Sequence, residues 1–139
     1  MAGGLGNFWS QAVLDYLLGG TVPSLPGTWY AALFSVTPSD SSGGTELAGS
    51  GYARIALTNN ATNFPASSVV SNVATKVTGT TITWGPASGS NWAQAVAVGF
   101  FDAASSGHLG WWGPLGTPVT VNVGQSLQIL AGSGVFTEG

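Results

Sequence analysis

The sequence predicts an all-β fold, an antiparallel β-sandwich of jelly-roll type with one short N-terminal α-helix. Three observations carry this reading. From residue 28 onward, apolar and β-branched runs recur, each bounded by clusters of Gly, Pro, Asn, Asp and Ser. Helical spacing of apolar residues occurs in one place, NFWSQAVLDYLL (7–18). No repeat, charge run or linker interrupts residues 1–139, so the chain reads as a single domain long enough to bury a core.

The elements follow in order. MAGGLG is glycine-rich and reads as flexible unless a partner orders it. In the helix, Trp9, Val13, Tyr16 and Leu17 share helical spacing, and Asn7 or Ser10 can cap its start. Gly19-Gly20 stops it, and TVPSLPG follows as a rigid turn. The helix is expected to lay Trp9, Val13 and Leu17 on an apolar surface, either its own sheet or a neighbouring subunit. TWYAALFSV (28–36) is a strand, ended by the turn-rich loop TPSDSSGGTELAGSG and followed by a strand GYARIAL (51–57). NNATNFPASS (59–68) is irregular, and VVSNVATKV (69–77) and TTITW (80–84) are strands. The loop GPASGSN leads to WAQAVAVGFFD (92–102), and AASSG turns the chain into HLGWW (108–112). GPLGTP connects to VTVNV (119–123), and SLQILAGSGVFTE (126–138) is one bulged strand or two short ones, given Gly132 and Gly134.

Three aromatic doublets stand out: Trp29-Tyr30, Phe100-Phe101 and Trp111-Trp112. Neighbouring side chains in a strand point to opposite faces, so each doublet places large apolar groups on both faces of a sheet. Antiparallel sheets usually alternate apolar-in and polar-out. With one helix available as cover, the simplest remaining cover is another subunit. One of Trp111 and Trp112 is therefore expected in the core and the other at a subunit contact. Trp9 and Phe100 join them as candidate contacts to a partner. An outward tryptophan could alternatively stack on a sugar ring.

Charge supports the same direction. Charged residues make up 5% of the chain, against roughly a quarter in ordinary soluble domains. A free monomer normally stays soluble through a mixed charged surface, so much of this surface is expected to be covered by copies or partners. Two basic residues and a net charge of -3 cannot neutralise a run of phosphates, which argues against nucleic acid as a partner. No apolar run reaches the length of a membrane span, and the N-terminus lacks the basic region of a signal peptide. With no cysteine, disulfides and thiolate metal sites are excluded.

Catalytic chemistry finds little footing. His108 is the single histidine and follows a Ser-Gly turn, and no GxSxG elbow accompanies it. The five acids show no local signature of a paired-carboxylate site. DSSGGTE (40–46) has too few acids for calcium and reads as an Asx-turn with glycine bends. The expectation is therefore no enzyme, no metal and no cofactor. Arg54, the single arginine, lies in a strand after this acidic loop. An ion pair from Arg54 to Glu46 or Asp40 is expected, because a shielded guanidinium needs a partner.

WYAALFSVTPSD, GGTELAGSGYARIAL, AVGFFDAASSGHLGWWGPL and VTVNVGQSLQILAGSGVFT occur in that order after the helix. This succession resembles the small tail-fibre-like or minor tail proteins of tailed bacteriophages over about residues 7–137. Residues 59–79 depart from the family pattern, Gln125 stands where an acid is common, and tryptophans stand at 111 and 112. The resemblance implies a non-enzymatic virion component, a homo-oligomeric tail fibre or tail-associated protein located on the phage particle. A homotrimer is implied by analogy with other phage fibres. The alternatives are a capsid decoration protein and a host-glycan-binding module. Implied partners are copies of itself, other virion proteins and a host surface glycan.

Overall fold

The computed structural model describes residues 3–41 and 43–138. Its elements are β1 (Gly4–Leu5), α1 (Asn7–Gly19), β2 (Thr28–Val36), β3 (Thr45–Glu46), β4 (Ile55–Thr58), β5 (Ser68–Val70), β6 (Val73–Val77), β7 (Ile82–Trp84), β8 (Ala95–Phe101), β9 (Leu109–Val119), β10 (Leu127–Ile129) and β11 (Val135–Glu138). The largest sheet runs β1-β9-β8-β2-β3, with β4 also paired to β2. β10 pairs β7, and β11-β6-β5 form a third sheet. Every pairing between these strands is antiparallel. The fold is all-β, with one short helix.

The core forms where one face of the large sheet meets β7 and β10. Ala31 and Leu33 of β2, Phe100 of β8, Ile82 and Trp84 of β7 and Leu127 of β10 bury their side chains together. Trp84 is fully buried, so its indole N–H requires a partner inside; it donates to the Ala31 carbonyl at 3.0 Å and ties the layers together. The opposite face carries a smaller buried group, Ala32, Phe34 and Ala97, packed with Val96, Phe101 and Leu109. Part of the double apolarity of these strands is thus satisfied within the chain.

β2 occupies the expected residues. Elsewhere the differences have local causes. VVSNVATKV is a hairpin rather than one strand: Ser71 and Asn72 take φ of 50° and 65°, and Val70 pairs with Val73. Positive φ at both central residues makes the tight turn whose twist matches the flanking strands. The strand expected over 51–57 begins at Ile55, because Gly51 has φ of 87° and sits against the Pro86 backbone, where a side chain would collide. β9 does not turn at GPLGTP but continues to Val119, with Pro114 opposite Ala97 and Val119 opposite Ala95. The expected strand 119–123 leaves Val121 in the core and Val123 in an isolated bridge to Ala87. Residues 126–138 divide into β10 and β11.

The N-terminal segment also differs from expectation. Met1 and Ala2 lie outside the described residues, but Gly4 and Leu5 pair with Trp112 and Trp111, and the Gly6 N–H donates to Gly110 at 2.9 Å. Gly6 is the N-cap of α1 and contributes no side-chain bond; Asn7 and Ser10 do not take that role. Gly20 ends the helix in the left-handed conformation, φ 69°. Of the expected stripe only Trp9 is buried, against Trp29, whereas Val13, Tyr16 and Leu17 are exposed. The helix enters the fold by its first turn and then leaves it.

Candidate functional site

Three features could do something beyond folding: a polar knot around Arg54, an aromatic cleft beside β9, and the outer part of α1.

The knot follows from register. Glu46 lies opposite Phe34 in the β2–β3 pair, so its side chain shares the face that carries Phe34 and Phe101. Arg54 meets it there: Nε donates to Oε1 at 2.9 Å and Nη2 to Oε2 at 2.8 Å, a bidentate pair. Nη1 donates to the carbonyls of Ala103 and Ser106, both at 2.8 Å, and the guanidinium carbon lies 3.7 Å from the Phe101 ring centre. The Tyr52 hydroxyl donates to Glu46 Oε1 at 2.9 Å and accepts the Leu33 N–H at 3.0 Å. Burial is the largest influence on this phenol and pushes its pKa upward, with the Glu46 carboxylate adding to the effect. Arg54 thereby clamps the 102–107 loop to the sheet. Its chemistry is that of a fastener.

Asp40 takes no part in this pair. It accepts the Trp112 indole N–H at 2.7 Å, while its backbone carbonyl accepts the Asn7 N–H at 2.8 Å. The loop that holds Asp40 thus anchors both the start of α1 and Trp112. Sequence reasoning missed this link, and also the closure of the 102–108 turn. There Asp102 accepts the His108 N–H at 2.7 Å and faces its Nδ1 at 2.9 Å, and Phe8 stacks on the His108 ring at 3.7 Å. Only alternation within HLGWW hinted at where the tryptophans go.

Trp111 turns toward the core, with Phe136 6.1 Å away between ring centres, and Trp112 turns to the other face. Both are half-buried. Gly110 between them and Leu109 is needed because Trp29 packs directly over it; a Cβ there would lie 2.7 Å from that ring. Phe100 and Trp9, read from sequence as partner contacts, are buried within the chain at 5% and 6% exposure, so neither faces outward.

Beside Trp111 opens a cleft of about 330 Å³, walled by Leu115 on one side and by Ile129, Leu130, Val135 and Phe136 on the other. None of its lining residues is charged. The outer part of α1 and the turn after it show the opposite relief. Every residue from Val13 to Val22 is exposed, including Leu14, Leu17 and Leu18. Among the described residues, no three His, Asp or Glu side chains gather where they could hold a metal ion, and no helix is long and apolar enough to cross a membrane.

No curated protein matches the chain. A protein-family model does: the family described as podophage GP4 fiber I protein gp80 matches residues 4–137, from β1 into β11. A match over that span covers the large sheet, the knot, the cleft and the helix together. The chain belongs to this podophage fiber I protein family and is a phage fibre structural protein.

Proposed function

We propose that the protein is a non-enzymatic building block of a tail fibre that works as a homo-oligomer, most simply a trimer. The observation that carries this reading is the outer part of α1. A helix that is apolar on nearly all sides is normally buried on all sides. Here the protomer covers Trp9 and leaves Leu14, Leu17 and Leu18 to solvent, with Leu18 85% exposed. The low charge of the chain, 5%, points the same way, since little else would keep such a surface from associating. Other virion proteins are the remaining natural partners of a fibre component.

Sedimentation velocity over a range of concentrations tests the reading. The wild-type chain is expected to sediment as an oligomer. Leu14→Ser combined with Leu17→Ser and Leu18→Ser is expected to release monomers with an unchanged β-type circular dichroism spectrum. A wild-type chain that stays monomeric at micromolar concentration overturns the proposal. Gold-labelled antibody on intact particles separates a tail fibre from capsid decoration, and titration with host polysaccharide tests attachment through the exposed edge of Trp112.

A further inference from the structure

We infer that the arm formed by residues 13–25 of one copy seats in the cleft beside Trp111 of a second copy. This rests on the homo-oligomeric reading above and names the two surfaces that meet. The arm carries Val13, Leu14, Tyr16, Leu17, Leu18, Val22 and Leu25, exposed by between 44% and 85%. With roughly 100 Å² for a large aliphatic side chain, these seven present on the order of 450 Å² of apolar surface. Patches of that size on soluble proteins mark contact sites.

The chemistry of the arm narrows its occupant. Asp15 is the single charged residue between Phe8 and Leu25. A helix that lies on a membrane surface carries Lys or Arg on its polar side, and this one has neither. An acidic partner would find nothing to pair with, and a basic one only Asp15. The complement must be apolar, uncharged and concave, and the cleft between β9 and the 128–137 segment has all three properties. Within its own chain the arm remains uncovered, so the cleft it fills belongs to another copy.

Area points to the same arrangement. A stable interface needs about 800 Å² from each partner, and the arm alone supplies about half of that. Each such contact buries about 450 Å² from each partner, and a copy that gives its arm to one neighbour and receives an arm from another is held by two of them, about 900 Å² in all. Such a head-to-tail contact closes into a ring or extends along an axis, and both geometries suit a fibre.

The chain has no cysteine, so an engineered disulfide reads without background. Leu17→Cys chains, marked on the arm, are coexpressed with Ser133→Cys chains, marked on the exposed cleft rim, and oxidised. The expected product is a covalent pair containing one chain of each kind, at least several-fold more abundant than pairs formed by either variant alone. Leu17→Cys chains that cross-link chiefly to each other would show arm against arm and overturn the inference. An oligomer that persists in sedimentation while the mixed pair fails to form would also overturn it, with the homo-oligomeric reading left standing. A monomeric wild-type chain removes that reading first, and the arm-in-cleft contact falls with it.

Discussion

Arg54 spends all of its donor nitrogens on the protein itself: two on Glu46 and one on the carbonyls of Ala103 and Ser106. Its side chain is only 8% exposed, so removing it leaves a carboxylate and two carbonyls to be rehydrated in a shielded place. Arg54→Ala is expected to cost about 3 kcal/mol in denaturant unfolding, and a melting temperature equal to the wild type would show the clamp to be idle. Tyr52 adds a pH dependence. Burial, reinforced by Glu46 and opposed by the Leu33 N–H and by Arg54, raises its pKa above the ordinary 10.0. The folded chain therefore holds the phenolic proton after the unfolded chain has released it. This contribution is complete below pH 10.0 and is lost as pH rises above it, so stability should fall across the alkaline range. Tyr52→Phe should flatten that alkaline fall. At neutral pH it should cost about 1–2 kcal/mol, because Leu33 and Glu46 lose a partner. The Arg54–Glu46 contact could be read from sequence because a lone arginine in a strand after an acidic loop has few partners. The role of Asp40 could not, since its bond to Trp112 joins residues far apart in the chain.

At the scale of elements, the β5–β6 hairpin offers the cleanest test of local chemistry. Its turn residues, Ser71 and Asn72, both hold positive φ, for which Asn-Gly is the preferred pair. Ser71→Asn with Asn72→Gly is expected to stabilise the chain by about 0.5 kcal/mol and raise the melting temperature by about 1–2 °C. A loss of stability would mean that Ser71 or Asn72 serves a contact beyond the turn. The same hairpin shows where sequence reading runs out: Ser-Asn is a weak turn signal, and the valines on both sides of it read as strand. The prolines of GPLGTP misled in the other direction. Proline usually ends a central strand, but here β1 starts at Gly4, beside Trp112, and among the described residues the following part of β9 has no β1 partner, a place where proline is tolerated. Helical spacing located α1 to within a residue at its end, but of the residues it placed on one side only Trp9 is buried within the chain. Spacing identifies which residues share a side, but the surface that receives them is a property of the whole fold. Val13 and Leu17 share a side with Trp9 by spacing, yet the fold leaves both exposed.

At the scale of the whole molecule, antiparallel β class and one helix were legible because alternation and turn residues act locally. The cleft was not, because its walls are Trp111–Leu115 and residues 128–137, which meet only after β9 joins β8 and β11 joins β6. The doublets implied a covering subunit, but the chain meets part of that need itself, with Phe34 and Phe101 stacked on the second face and Arg54 over Phe101. What remains uncovered is concentrated in the arm and the cleft, and both are almost free of charge. This fixes how association should respond to solvent. Ion pairs between subunits weaken as salt shortens the range of electrostatic attraction, whereas apolar burial does not. Salting-out anions are excluded from exposed surface and favour its burial. The oligomer is therefore expected to show no dissociation when sodium chloride is raised from about 0.1 M to about 1 M. Replacing chloride by sulfate at equal ionic strength should tighten it. Cooling toward 5 °C should loosen it by about as much as any hydrophobic contact loosens on cooling, a small but measurable rise in the dissociation constant. Sedimentation equilibrium in the three conditions reads each effect directly. Dissociation by sodium chloride alone would place charged groups at the contact. Outside the arm, which carries only Asp15, those are Asp40, Glu46, Arg54, Lys76, Asp102 and Glu138, and the subunit interface would then have to be sought around one of them rather than at Leu17 and Trp111.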